Sequence, residues 1–179
     1  MLSGRAALAC SLSFRMINPK EQQMLEYVEK FRLQFVELYP KRRPLLLFPP
    51  NECNLSKFVC TTIRPSQLPY AELYDHPSCI RFVSDFLKYE ILENPIEYPA
   101  HLPSPYSVLQ WQAGDCFDFS TVLCSLLCGV GYDAYCVMGY APKAVTHADQ
   151  VLCRRRRRRR RSIPWEDFEL RMRCLFQSA

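Results

Sequence analysis

The chain has 179 residues, 49% of them hydrophobic, enough for one packed domain with tails. Its net charge of +5 traces to an unbroken run of eight arginines at 154–161, and the rest of the chain is mildly acidic. This excludes a general nucleic-acid footprint over the body of the chain, and no apolar run approaches the ~20 residues of a membrane span.

Residues 1–17 carry no periodic pattern and read as a disordered N-terminus. They hold arginines and small residues but no sustained apolar segment or clear cleavage site, so no signal peptide is expected, and a mitochondrial presequence is the weaker reading. The ten cysteines therefore read as reduced cytosolic thiols, because a core-rich chain of this size does not need a disulfide scaffold.

Residues 18–40 form the first element, an amphipathic helix. Asn18 suits an N-cap, Pro19 the first helical position, and Glu21 can answer the cap from the third. Met24, Val28, Phe31, Phe35 and Leu38 then recur at helical spacing, and the helix ends before Pro40. Residues 41–106 read as an extended, proline-rich segment containing one short helix. Within it, residues 58–63 are rich in strand formers and predict a strand. Cys79, Phe82, Val83, Phe86 and Leu87 share one face and predict the helix.

The pattern sharpens over 107–152. Gly114 and Asp115 predict a turn, and Phe119, Val122, Leu123, Leu126 and Leu127 the buried stripe of a helix that starts at Cys116. Gly129 and Gly131 are expected to end it. Residues 134–140, aromatic and β-branched, predict a strand. At Cys153 the composition changes abruptly to an Arg-rich tail, 153–179, which reads as a different kind of sequence joined on. No internal repeat is visible.

A cysteine at a helix start can be activated, because unpaired backbone N–H groups there favour the thiolate. Asp115 and Asp118 oppose this by their charge, and Asp115 doubles as a helix cap. Catalysis would also need a base and a group to orient it. His147 with Asp149 completes a triad on paper, and Gln110 could donate to an oxyanion. His147, however, sits in loop sequence with nothing to hold the ring. The plainer reading of Cys116 is a small residue filling the seam between helix and strand. Cys124 and Cys128, four apart, read as packing residues; without a CxxC pair no zinc site is expected, and no cofactor of any kind.

The segments Gly114-Asp115-Cys116-Phe117-Asp118-Phe119 and Gly131-Tyr132-Asp133-Ala134-Tyr135-Cys136 resemble the cysteine helix and following strand of the transglutaminase-like superfamily. Asn51-Glu52-Cys53-Asn54, Phe58-Val59-Cys60-Thr61-Thr62 and Tyr98-Pro99-Ala100-His101-Leu102-Pro103 carry a more specific resemblance. It is to axonemal subunits of the nexin–dynein regulatory complex that contain such a domain, and it runs from about residue 21 to 150. The superfamily resemblance implies an α+β fold: a partial transglutaminase-like (papain-like cysteine protease) core at 107–152 with an N-terminal helix and extended Pro-rich segments. It places only Cys116 on a catalytic position, so the domain reads as a pseudoenzyme whose His/Asp half is not recognisable, in a chain resembling a fragment or short form.

The axonemal resemblance implies a non-catalytic structural role in motile cilia and flagella. The partners it implies are other subunits of the complex and microtubules, with no membrane and no specific nucleic acid. Two alternatives stand beside it. One is a cysteine peptidase or acyltransferase with Cys116 as nucleophile. The other is a binder of nucleic acid or microtubules driven by the arginine run.

Overall fold

Asn18 caps its helix as its position in the sequence predicts. Its Oδ1 accepts from the Glu21 N–H at 2.8 Å, and Glu21 Oε2 accepts in return from the Asn18 N–H at 3.2 Å. This capping box opens the long helix of a computed structural model that describes residues 12–139, apart from 93, 95 and 96. The expectations for 1–11 and for the Arg-rich tail lie outside those residues.

The elements follow in order: α1 (Leu12–Arg15), α2 (Pro19–Leu38), α3 (Val59–Thr62), a 3-10 turn (Ala71–Leu73), α4 (His76–Phe86), β1 (Lys88–Tyr89), α5 (Pro105–Trp111), β2 (Ala113–Gly114) and α6 (Cys116–Val130). Helices together with a two-stranded sheet make the described part α+β. No helix among the described residues is long and apolar enough to cross a membrane.

Helix α6 is the centre of packing. It lies against α4 and α5, and its residues 118–126 are all buried. Val122, Leu123, Phe119 and Leu126 meet Cys79 and Val83 of α4, Leu87 just after it, and Val108 of α5 in one cluster. The stripe expected on α6 therefore faces the core, with Leu127 at its edge. Each fully buried Val or Leu contributes about 1.5–3 kcal/mol relative to exposure. A chain of this length depends on a handful of such side chains.

The two strands are parallel, with Lys88 opposite Ala113 and Tyr89 opposite Gly114. They are bonded by Lys88 N–H to Gln112 O and Glu90 N–H to Gly114 O, both 2.8 Å. Each strand continues directly from a helix: β1 from α4, and β2 from α5 through Gln112 in the left-handed conformation (φ 55°). The pair thereby ties the C-terminal ends of α4 and α5 together just ahead of α6.

Four local expectations are corrected. Residues 1–17 were expected to be disordered, but within them Leu12–Arg15 form α1, and Phe14 is buried and held through its carbonyl by Asn51. Residues 58–63 were expected as a strand, but Val59–Thr62 form the single helical turn α3. The Thr61 N–H and hydroxyl both bond the Phe58 carbonyl, each at 2.7 Å, closing the turn locally in place of a ladder. Residues 134–140 were expected as a strand, yet 134–139 form none. A strand exists only with a partner to bond, and no described strand lies alongside. Gly129 was expected to end α6, yet it lies inside the helix, and the end comes at Gly131. Gly131 holds φ 102°, where glycine carries no steric penalty. Gly129 has a different role, since a Cβ there would collide with the backbone of Ser66.

Helix α2 is held mainly at its start. Glu21 bonds the buried Lys57 at 2.8 Å and Arg64 at 3.3 Å. Arg64 also lies over the Phe14 ring, 4.5 Å from its centroid, and Asn51 donates to the Phe14 carbonyl at 2.7 Å. On the face expected to be apolar, only Val28 is buried; Met24, Phe31 and Leu38 are exposed. Their seven-residue spacing marks a stripe on the outer surface.

Candidate functional site

The start of α6 is built by two carboxylates three residues apart. Asp115 is the N-cap, and its Oδ1 accepts from the N–H groups of Phe117 at 2.7 Å and Asp118 at 3.2 Å. Asp118 Oδ2 accepts in return from the Asp115 N–H at 3.0 Å. This is a second capping box, with aspartate where glutamate is usual. Gly114 makes it possible, because a Cβ there would lie 2.6 Å from Asp118 Cβ and 2.7 Å from its Oδ2.

Burial sets the electrostatics of the box. It pushes the Asp118 carboxyl up to about 8, with further upward pushes from the charges of Asp115 and Glu90 and an opposing one from the Asp115 N–H. Burial raises Asp115 too, against the hydrogen bonds from Asp118 and Phe117. The site therefore favours a shared proton over two negative charges.

Cys116 occupies the first position of α6, half-buried beside this pair. Its carbonyl accepts from the Ser120 hydroxyl at 2.7 Å. The neighbouring N–H groups of Phe117 and Asp118 are engaged by a carboxylate, which reduces what the helix terminus can offer a thiolate. Gln110 sits exposed on α5 and donates its amide to the Tyr106 hydroxyl at 2.9 Å. His147 and Asp149 lie outside the described residues. The two described histidines are exposed, and His76 presents its ring edge-on to Tyr132, 6.2 Å between centroids.

A second group of thiols lies near the end of α6. Cys124 and Cys128 both direct Sγ at the Ala134 carbonyl, at 3.3 and 3.5 Å. Cys136 points its Sγ at the Ser120 carbonyl at 3.4 Å, one helical turn before Cys124. The neighbouring Cys136 and burial push the Cys124 thiol well above the ordinary range, while the neighbouring Cys124 pulls Cys136 down. The four-residue spacing announces the Cys124–Cys128 pair. Nothing in the spacing announces Cys136, which the chain brings back against the helix after the turn at Gly131. Among the described residues no group of three His, Cys, Asp or Glu side chains is arranged to hold a metal ion.

Comparison with known proteins gives two kinds of similarity. The family described as the CEP76 peptidase-like domain matches residues 102–170, a span that includes Cys116. Over 138 residues, 77% of the chain, it is 56% identical to dynein regulatory complex subunit 7 of Chlamydomonas reinhardtii. It is 50% identical over the same length to the human protein of that name. It is also 43% identical over 140 residues to the coiled-coil domain-containing protein lobo of Drosophila melanogaster. The chain spans 12% of the length of the algal relative and 16% of the other two.

Proposed function

We propose that this chain is a non-catalytic structural part of the dynein regulatory complex in the axoneme of motile cilia and flagella, acting through contacts with the other subunits. The observation that carries this reading is identity of about one residue in two, sustained over 138 residues, to proteins named for that complex. We read 107–152 as part of a transglutaminase-like core, which the cysteine-headed helix packed on α4 and α5 supports. The remaining divisions are an N-terminal stretch to 17, a helical unit at 18–40, a connecting segment at 41–106 and the Arg-rich tail at 153–179.

The chemistry at Cys116 supports a non-catalytic role. The first N–H groups of α6 are bonded to Asp115, and the adjacent carboxyl pair resists further negative charge. The peptidase-like match across Cys116 favours the second reading, a thiol hydrolase. That reading predicts rapid labelling of Cys116 by a thiol electrophile, abolished in Cys116→Ala. The structural reading predicts labelling no faster than that of an unfolded-chain cysteine.

The deciding experiment is expression of the tagged chain in flagellate cells, followed by isolation and salt extraction of axonemes. The chain should fractionate with the regulatory complex, and deletion of the arginines at 154–161 should leave this unchanged. Loss of axonemal association on that deletion would transfer the binding to electrostatic contact of the arginine run with acidic surfaces. Absence of the full chain from axonemes would overturn the proposal.

A further inference from the structure

The segment that follows α6 is held to that helix by sulfur. Among the described residues, the backbone bond that starts its return is Tyr132 N–H to Leu127 O at 3.0 Å. Beyond it the contacts are the S–H···O bonds of Cys124 and Cys128 to Ala134 and of Cys136 to Ser120. Thiols are weak donors, so these contacts hold the segment loosely. Cys136 Sγ lies 3.4 Å from the carbonyl of Ser120, one helical turn before Cys124, while Cys124 Sγ lies 3.3 Å from the carbonyl of Ala134, two residues before Cys136, so the two thiols reach across the same seam in opposite directions.

We propose that Cys124 and Cys136 form a reversible redox clasp, in which a peroxide converts the two free thiols that face each other across this seam into a disulfide that locks residues 131–139 onto α6. Cys136 reacts first, because it is the more accessible of the two while Cys124 is buried. Its sulfur attacks one oxygen of hydrogen peroxide, the O–O bond breaks, and the departing hydroxide takes up a proton as water, leaving a sulfenic acid. The Cys124 sulfur then attacks the Cys136 sulfur. The S–S bond forms, the S–O bond breaks, and the hydroxyl leaves as water with the Cys124 proton. Two thiols and one peroxide give one disulfide and two waters. The disulfide brings the two sulfurs to about 2.05 Å of each other. Cys128, sharing the Ala134 carbonyl, is the competing partner and sets the specificity of the test.

The test uses the full reduced chain, treated with hydrogen peroxide, alkylated and mapped without reduction. Chymotrypsin is the suitable protease, since no Lys or Arg lies between residues 88 and 143, whereas Tyr132 and Tyr135 separate Cys136 from α6. The expected result is one cross-linked peptide pair joining Cys124 to Cys136, loss of alkylation at both, and reversal by dithiothreitol. Cys128→Ser should leave the link intact, and Cys136→Ser should abolish it without changing the circular dichroism spectrum. Native chymotrypsin should cut after Tyr135 more slowly in the oxidised protein. A Cys124–Cys128 or Cys128–Cys136 link, continued alkylation of Cys136, or its passage to sulfinic acid with no cross-link would each overturn the proposal.

Discussion

Replacing Gly129 with alanine sets two effects of opposite sign against each other. In a helix interior alanine is favoured over glycine by about 1 kcal/mol, so the propensity argument predicts a gain in stability. The structure predicts a loss. The loop at Ser66 lies directly on this position, and a Cβ would overlap the Ser66 N, C and O atoms. These are backbone atoms and cannot swing aside. The same loop is pinned to α6 by Ser66 N–H to Ser125 O at 3.0 Å, by Ser125 Oγ to Ser66 Oγ at 3.0 Å, and by the Ser125 hydroxyl to the Arg64 carbonyl.

Making room for the methyl group strains a packed site by about 1–3 kcal/mol. Lifting the loop instead loses hydrogen bonds at about 1 kcal/mol each. Set against the propensity gain of about 1 kcal/mol, the net destabilisation is about 1–2 kcal/mol, or about 2–8 °C in Tm for a chain of this size. Urea unfolding followed by circular dichroism measures it directly. Ser66→Gly should not rescue the variant, because the clash is with the main chain. A Gly129→Ala protein as stable as the original, or more so, would refute the close approach of the loop.

Other outcomes follow from the same structure. Leu123→Ala, at a position 2% exposed in the central cluster, should cost about 2–5 kcal/mol in the same unfolding assay. Asp118 has a folded-state pKa raised by burial first and by Asp115 next. Its contribution to stability is therefore full at low pH and declines as pH rises from the ordinary carboxylate range toward about 8. Asp118→Asn, which keeps an acceptor for the Asp115 N–H, should flatten that decline and be the more stable form at pH 8. Glu21 behaves in the opposite sense. Burial pushes its pKa up, but the bonds from Lys57 and Asn18 and the charges of Lys57 and Arg64 outweigh it, and the net shift is downward. Its stabilisation is present above the ordinary carboxylate pKa and is lost as pH falls through the lowered value. Glu21→Ala, which leaves Lys57 buried without its carboxylate, should cost about 3 kcal/mol at neutral pH.

What could be read from the sequence was local. The Asn18–Glu21 box, the α4 face around Cys79 and Val83, and the α6 stripe each follow from spacing of three or four residues. What could not be read depends on the rest of the chain. Helix α5 was hidden because Pro103 and Pro105 look like loop punctuation, whereas Ser104 is an N-cap and Pro105 occupies the first helical position. Its cap is completed from far away, since Glu52 accepts from the Ser104 and Ser107 hydroxyls at 2.6 and 2.7 Å. Strands of two residues are too short for any alternation to show. Residues 134–139 have the side chains of a strand without a neighbour to pair with. At the candidate site, the cap role of Asp115 and the opposition of both aspartates to a thiolate were legible from charge and position. The convergence of Cys136 on Cys124 was not, because it depends on how the chain returns after Gly131.

The root of α2 has a mechanical consequence. Twenty residues of helix extend about 30 Å, and both ion pairs that join this helix to the rest of the described chain meet at Glu21, in its first turn. A spar clamped near one end magnifies whatever happens at the clamp. A tilt of about ten degrees there would swing the position of Leu38 by roughly 5 Å over that length. The aim of the outer stripe of Met24, Phe31 and Leu38 is thus set by the Glu21 ion pairs in the first turn together with Val28, buried midway along the helix.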